Sequence, residues 1–292
     1  MDKTASWLAY CLDNQENRTL SRWYSPDIYG RQFNVTLTGL SEGSHSLVVY
    51  ANNTAEYTGV SDTIYFCIAP NSWVQKASMS TARTSLGVAV VNGKIYVIGG
   101  FSSDQNTFFA INEEYDPSTN TWTEKASMPT PRFGCAVTVC ENKIYVIGGQ
   151  TAIGTANGYT NATEVYNPAT NTWVTKAPIP ISESGFSANV VDGKIYLMYG
   201  TLNEVYDPAT DSWTTKAPMP TAVYLHASAV MDNKIYVISN LTQIYDPKTD
   251  MWSFGAPIPT SVSQATAGAT TGVAAPKAIY VIGGSTDFLA VS

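Results

Sequence analysis

Residues 94–100 read KIYVIGG, and residues 114–122, one loop later, read EYDPSTNTW. The first run returns as KIYVIGG from Lys143, KIYLMYG from Lys194, KIYVISN from Lys234 and AIYVIGG from Ala278. The second returns as VYNPATNTW ending at Trp173, VYDPATDSW ending at Trp213 and IYDPKTDMW ending at Trp252. A further tryptophan, Trp73, precedes them all without its own YDP. From the lysine after each tryptophan (Lys76, Lys125, Lys176, Lys216) to the lysine opening the next IYV run the separation is 18 residues every time. A fixed count implies a fixed two-strand unit. From the IYV tyrosine to the YDP tyrosine the separations are 19, 21, 10 and 9 residues, so that connection is a loop of free length. Self-similarity at a period of roughly 40 to 50 residues marks a stacked repeat architecture.

The local chemistry assigns strands to each unit. IYVIGG is a short buried strand stopped by glycines that permit unusual backbone angles. Asp116, Asn167, Asp207 and Asp246 stand where a side-chain oxygen closes a tight turn, and the proline after each fixes the entry angle. Each tryptophan then opens the next strand. A run such as SLGVAVV or GCAVTVC supplies a fourth, on which Leu86, Val88 and Val90 alternate with Ser85, Gly87 and Ala89. Cys135, Val137 and Val139 alternate with Gly134, Ala136 and Thr138 in the same way, so large meets small between neighbours. Four-stranded units covered on both faces by their neighbours are the blades of a β-propeller. A buried tryptophan hides about 150 to 250 Å², worth roughly 4 to 6 kcal/mol before entropy, so the tryptophans suit an inter-blade framework.

IYVIGG, the variable loop, VYDPATNTW-type turns and the KAPMP that follows Trp213 together resemble kelch repeats, over residues 73–292 and five times. The resemblance implies that the variable loops share a face with the segments leading into the inner strands, and that partners bind on that face. The fold expected is all-β: a five-bladed kelch β-propeller over 73–292, a linker over 70–72 and a small immunoglobulin-like β-sandwich over 1–69. The fifth blade has an inner strand at 266–271, an IYV strand at 279–282 and a third strand at 288–291, but no Trp strand. Trp73 is a Trp strand without a blade, so it completes the fifth and closes the ring, removing exposed edges. Five blades are fewer than the six or seven common in kelch propellers, which leaves a trimmed chain or an open ring completed by another molecule as the alternative.

Before Ala69, the alternating stretches SWLAYCL, QFNVTLTGL, HSLVVYA and TIYFCIA lie between turn-rich segments. They resemble the closing strands of immunoglobulin-like modules of microbial extracellular proteins, with one or two opening strands absent. The short connection around Pro70 holds the two domains in a fixed relation.

Composition excludes several function classes. Sixteen basic against 23 acidic side chains give a net charge of −7, which removes the electrostatic basis for gripping nucleic acid. No apolar run approaches the length of a membrane span, and the first 25 residues lack the apolar core of a secretion signal, as in a processed product. None of the four cysteines forms CxxC, so no zinc knuckle or dithiol redox site is supported. Cys11 and Cys67 are candidates for a disulfide stapling the small domain. Cys135 and Cys140, an odd number of residues apart on one strand, point to opposite faces and serve as small hydrophobes.

No metal or cofactor is expected. Galactose oxidase, a kelch-propeller enzyme, needs two histidines and tyrosines around copper, whereas here His45 lies in the sandwich and only His226 in the propeller. His226 occupies the column of Leu86, Cys135, Phe186 and Ala265 and reads as a packed inner-strand residue. The turn residues Asp116 and Asn120 lack the bidentate Glu that calcium favours. The paired glycines open no helix and form no phosphate loop.

One column does change chemistry from blade to blade: Arg83, Arg132, Glu183, Val223 and Val262. On the loop face, Arg83, Arg132 and Glu183 form a candidate binding sector in which the guanidiniums grip a carboxylate or glycan. Phe101, Phe108 and Phe109 of one long loop and Tyr159 of the next flank it as aromatic anchors. Sequons at Asn17, Asn34, Asn52, Asn161 and Asn240 are candidate glycosylation sites. The reading is an extracellular or cell-surface binding and adhesion protein that recognises a protein or glycan through the loop face. One alternative is a structural subunit of a surface layer or filament, self-associating through the sandwich edge by strand complementation. The other is a sugar mutarotase-like enzyme, as some kelch propellers resemble, in which Glu183 moves protons beside Arg83 and Arg132.

Overall fold

The computed structural model describes residues 5–13, 18–22, 43–53, 58–60, 64–68, 74–154, 158–260, 263–270 and 277–285. The chain divides into two compact units, residues 1–74 with 270–278 and residues 75–269 with 279–292. Every element among the described residues is a strand, so the fold is all-β.

In the first unit, β1 (Ala5–Leu12), β2 (Arg18–Arg22), β3 (Gly43–Asn53), β4 (Thr58–Val60) and β5 (Ile64–Ile68) form one antiparallel sheet ordered β2-β1-β3-β4, with β5 also on β3. The expectation was a two-layered sandwich; the described strands join a single sheet because the long β3 serves as common partner to three others. Asp13 ends β1 in the left-handed region. Its carboxylate accepts the Ser46 N–H at 2.7 Å and lies 2.7 Å from His45 Nδ1. The His45 contact first, then the Ser46 amide, holds Asp13 below the usual carboxylate range. The register overturns the Cys11–Cys67 staple: Cys11 stands opposite Val48 and Cys67 opposite Ser44. Four residues along β3 are roughly 13 Å, well beyond the ~7 Å Cα separation a disulfide can span. The Cys67 side chain itself lies outside the described residues.

The second unit is built from small antiparallel sheets. The first runs Gly87–Val91, Lys94–Ile98, Asn112–Asp116, Thr121–Glu124 from its inner to its outer strand. The second is Ala136–Cys140, Lys143–Ile147, Thr163–Asn167, Thr172–Lys176, and the third Ser187–Val191, Lys194–Tyr199, Leu202–Asp207, Ser212–Thr215. The fourth is Ala227–Met231, Lys234–Ile238, Thr242–Asp246, Met251–Gly255. The fifth has two described strands, Thr266–Ala269 and Ile279–Ile282. Consecutive inner strands neighbour one another from the first sheet to the fifth.

Apolar clusters fill the spaces between sheets, as the period-two alternation requires. Ala89, Val91, Tyr96 and Ile98 of the first sheet meet Ile144, Val146 and Tyr166 of the second, with Cys135, Val137 and Val139 packed against them. The second and third sheets meet through Tyr145, Ile147, Ile195, Leu197 and Tyr206, and the third and fourth through Tyr196, Met198, Ile235, Val237 and Tyr245. A Cβ on Gly87 would run into the Val137 side chain, which is the large-against-small pairing read from the sequence.

The repeated turn is a joint as well as a cap. Asp116 Oδ1 accepts the Ser118 N–H at 2.9 Å, and Asn167, Asp207 and Asp246 accept the Ala169, Ala209 and Lys248 amides at 3.0 Å. Trp122, Trp173, Trp213 and Trp252 donate Nε1–H to the carbonyls of Ala77, Ala126, Ala177 and Ala217 at 2.7–2.8 Å. The same four alanines give their N–H to Oδ1 of Asn120, Asn171, Asp211 and Asp250. That oxygen also accepts the tyrosine hydroxyl of the YDP motif. Each alanine is therefore held at both backbone groups, which ties the crossing segment that begins Lys-Ala to its sheet. These Oδ1 atoms, two hydrogen bonds each, are occupied by the turn rather than poised for a cation.

The ring closure expected through Trp73 and residues 288–291 involves positions outside the described residues. The two faces that closure would bury, carrying Val88 and Val90 on the first sheet and Tyr280 and Ile282 on the fifth, are exposed.

Candidate binding face

The arginines expected to line the loop face are inside the sheets. Arg83 donates from Nη1 to Glu113 Oε2 at 2.7 Å and to the Thr81 carbonyl at 2.9 Å, and from Nε to the Gly99 carbonyl at 2.8 Å. Arg132 donates from Nη1 to Glu164 Oε2 at 2.6 Å and from Nη2 to the Val146 carbonyl at 3.0 Å. Both guanidinium side chains have zero exposure. Ser80 adds its N–H and hydroxyl to Glu113, and Thr130 its hydroxyl to Glu164. Burial works against ionised Glu113, but Ser80 and Arg83 outweigh it and hold its pKa below the usual value. With both guanidiniums out of reach of solvent and each paired to a glutamate of its own sheet, Arg83 and Arg132 cannot grip an external carboxylate. Each guanidinium is ion-paired with a glutamate other than Glu183: Arg83 with Glu113 and Arg132 with Glu164.

The fourth sheet shows what the column does without charge. Val223 replaces the arginine, and Gln243 accepts the Thr221 N–H and donates to the Thr221 carbonyl, both at 2.9 Å. In the third sheet the column is Glu183, and the buried Glu204 takes only the Thr215 hydroxyl among the described residues. Glu183 makes no ion pair among the described residues, and its side chain is partly exposed.

The phenylalanines fold back. Phe101 and Phe108 pack on each other at 5.3 Å between centroids and on Phe133, which precedes the next inner strand, at 5.3 and 5.7 Å. Phe109 lies in the backbone ladder that ties Gly100 to Arg132 and is partly buried. The expected exposed anchors are thus a miniature core holding two lead-in segments together.

A different aromatic group gathers around Glu183. The Glu183 carbonyl accepts the Gly149 N–H at 2.9 Å, and Tyr159 is bridged to Gln150 next to it. Tyr199, at the end of the second strand of the third sheet, packs edge-on against Phe186 at 5.5 Å and against Tyr224 at 5.1 Å. Burial raises the Tyr199 hydroxyl pKa most, followed by the Glu183 carboxylate and the phenols of Tyr224 and Tyr159. All three neighbours therefore lie close to one hydroxyl. Tyr224 is 57% exposed. Tyr199 and Tyr224 escape a reading of the sequence because Tyr199 stands where other units carry glycine or serine, and Tyr224 where they carry Thr84, Phe133, Ser184 and Ser263. That break in the repeat was the available signal.

His226 lies just before its inner strand, with Nε2 2.8 Å from Ser187 Oγ, and burial pushes its pKa down to about 4. Cys135 and Cys140 have their thiols pushed up by burial. Among the described residues no group of His, Cys, Asp and Glu side chains is placed to hold a metal ion.

The chain matches the family described as FKB95, Kelch-repeats domain, over residues 112–254 and the Kelch motif over residues 82–129. It is 36% identical over 64 residues to Kelch-like protein 13 of Mus musculus, covering 22% of this chain and 10% of that one. It is 39% identical over 61 residues to Kelch-like protein 23 of the same species, covering 20% and 11%. An F-box/kelch-repeat protein of Arabidopsis thaliana is 42% identical over 48 residues, covering 16% and 12%. The chain spans about a tenth of the length of these curated relatives. A solved structure titled "Structure of YjhT" superposes with a TM-score of 0.57 at 20% identity, over 67% of this chain and 72% of that one. The sheets spanning residues 82–254 are therefore kelch repeats in an all-β, propeller-like fold.

Proposed function

We propose that this chain is an extracellular or cell-surface protein-binding module whose contact site is the loop face around Glu183, Tyr159, Tyr199 and Tyr224. Kelch repeats generally mediate protein–protein binding, and one observation supports this site: Arg83 and Arg132 are sealed in ion pairs while Glu183 is partly exposed beside Tyr199 and the exposed Tyr224. A carboxylate beside tyrosine faces suits a lysine or arginine of the partner, through charge and cation–π contact together. The net charge of −7 steers such a partner toward this molecule. The extracellular setting is supported by two sequons, Asn161 and Asn240, whose side chains are exposed. Asn17 and Asn34 lie outside the described residues, as does the side chain of Asn52.

The test is a binding array of basic, acidic and neutral peptides with a glycan array beside it. Basic peptides bind, and Glu183→Gln weakens them about tenfold, or ~1.4 kcal/mol. Selective capture of acidic peptides or glycans, or a Glu183→Gln variant that binds as well as the parent, would contradict the assignment.

A further inference from the structure

We propose that the first and fifth sheets carry the two halves of one more inter-sheet joint, and that a second copy of this chain fills it. The intact joints show what a complete one contains. A diglycine-type N–H of one sheet bonds the lead-in carbonyl of the next: Gly100 to Arg132 at 3.0 Å, Gly149 to Glu183 at 2.9 Å, Gly200 to Val223 at 2.9 Å. The neighbouring backbone must approach closely. A Cβ on Gly99 would lie 2.5 Å from the Arg132 carbonyl oxygen, and one on Gly148 would lie 2.8 Å from that of Glu183. On the inner strand, Val137 drops onto Gly87.

The fifth sheet leaves the matching positions open: Gly283 stands where Gly99 does, and Gly268, opposite Tyr280, stands where Ala89 lies opposite Tyr96. Gly268 and Gly283 have no atom within 4 Å of an added Cβ. Tyr280 and Ile282 are 43% and 66% exposed, whereas their counterparts Tyr96 and Ile98 are 3% and 0%. The first sheet keeps the matching plug: Val88 and Val90 are 53% and 59% exposed, whereas their counterparts Val137 and Val139 are packed against the first sheet. Among the described residues, the Arg83 carbonyl receives no diglycine N–H and the Gly284 N–H meets no lead-in carbonyl.

Plug and socket are complementary and both face outward on one chain. A second copy presents the missing half of each, with its Val88 over Thr266, its Val90 over Gly268 and its Arg83 carbonyl at Gly284. The contact continues an interface the molecule already makes between each pair of consecutive sheets. It is heterologous, one surface against a different one, so it extends from copy to copy until a ring closes.

Sedimentation velocity on the full chain from about 1 to about 100 µM reads this directly. The expected mass at least doubles over that range. Val88→Glu with Val90→Glu removes the plug, and Gly268→Leu fills the socket; both act at exposed positions, and near-ultraviolet circular dichroism checks that each variant is folded. Each variant alone stays at 31.5 kDa, and mixing the two restores a dimer through the one intact joint. A parent that stays monomeric throughout overturns the proposal. So do variants that associate as the parent does, which would place the contact elsewhere, for instance at the sheet edge of the first unit.

Discussion

Arg132 is fully buried yet charged, because Glu164 lies 2.6 Å away and three carbonyl or carboxylate acceptors surround its guanidinium. Removing one member of such a pair leaves an uncompensated charge, so Arg132→Met should cost about 3–5 kcal/mol in urea unfolding. The fourth sheet supplies the repair. Arg132→Val with Glu164→Gln reproduces Val223 with Gln243, and Thr130 already stands where Thr221 bonds that amide. The double variant should recover most of the loss; if its cost equals the sum of the single substitutions, the pairing argument is wrong. The sequence hid this pair because each half was plausible alone. Arg83 and Arg132 looked like ligands for something outside, and only the exchange of Arg with Glu for Val with Gln from unit to unit marks them as partners.

His226 gives the residue scale a pH dependence. Its folded pKa of about 4 lies below an unfolded value of about 6.5, so between these values the unfolded chain binds a proton that the folded chain refuses. Stability is therefore complete above about pH 6.5 and falls as pH drops toward 4, by roughly 3 kcal/mol. His226→Phe, matching Phe186 in the same column, should flatten the slope between pH 6.5 and 4.5. The depressed carboxylates, Asp13 and Glu113 among them, lose their contribution only at lower pH. A parent with no slope in that window would contradict the buried neutral imidazole.

Among the elements, the strand pattern was legible because each depends on its own alternation. The 18-residue register and the YDP turns place every strand of the first four sheets. The loop contents were not legible: whether Phe101 and Phe108 face water depends on Phe133, 32 and 25 residues away and outside the loop. The tryptophans join both readings. Trp213 buries its ring against Tyr206 at 5.0 Å and donates to the Ala177 carbonyl. Trp213→Phe keeps the ring and should cost about 1 kcal/mol for the lost hydrogen bond, while Trp213→Ala should cost about 3–5 kcal/mol. Near-equal costs for the two would show that the joint depends on the hydrogen bond alone.

For the whole molecule, the loop face was legible as a place and misread as chemistry. Its position was expected from the resemblance to kelch repeats, in which the variable loops share a face with the lead-in segments. Its sign does not, since burying two arginines turns an expected basic sector into an acidic one centred on Glu183. Hydrogen–deuterium exchange with and without a saturating arginine-rich peptide tests that claim most directly. The account predicts slowed exchange over residues 183–186, 199–200 and 223–225, lost in Glu183→Gln, with residues 101–109 unchanged. Protection confined to residues 101–109, or unaffected by Glu183→Gln, would contradict it.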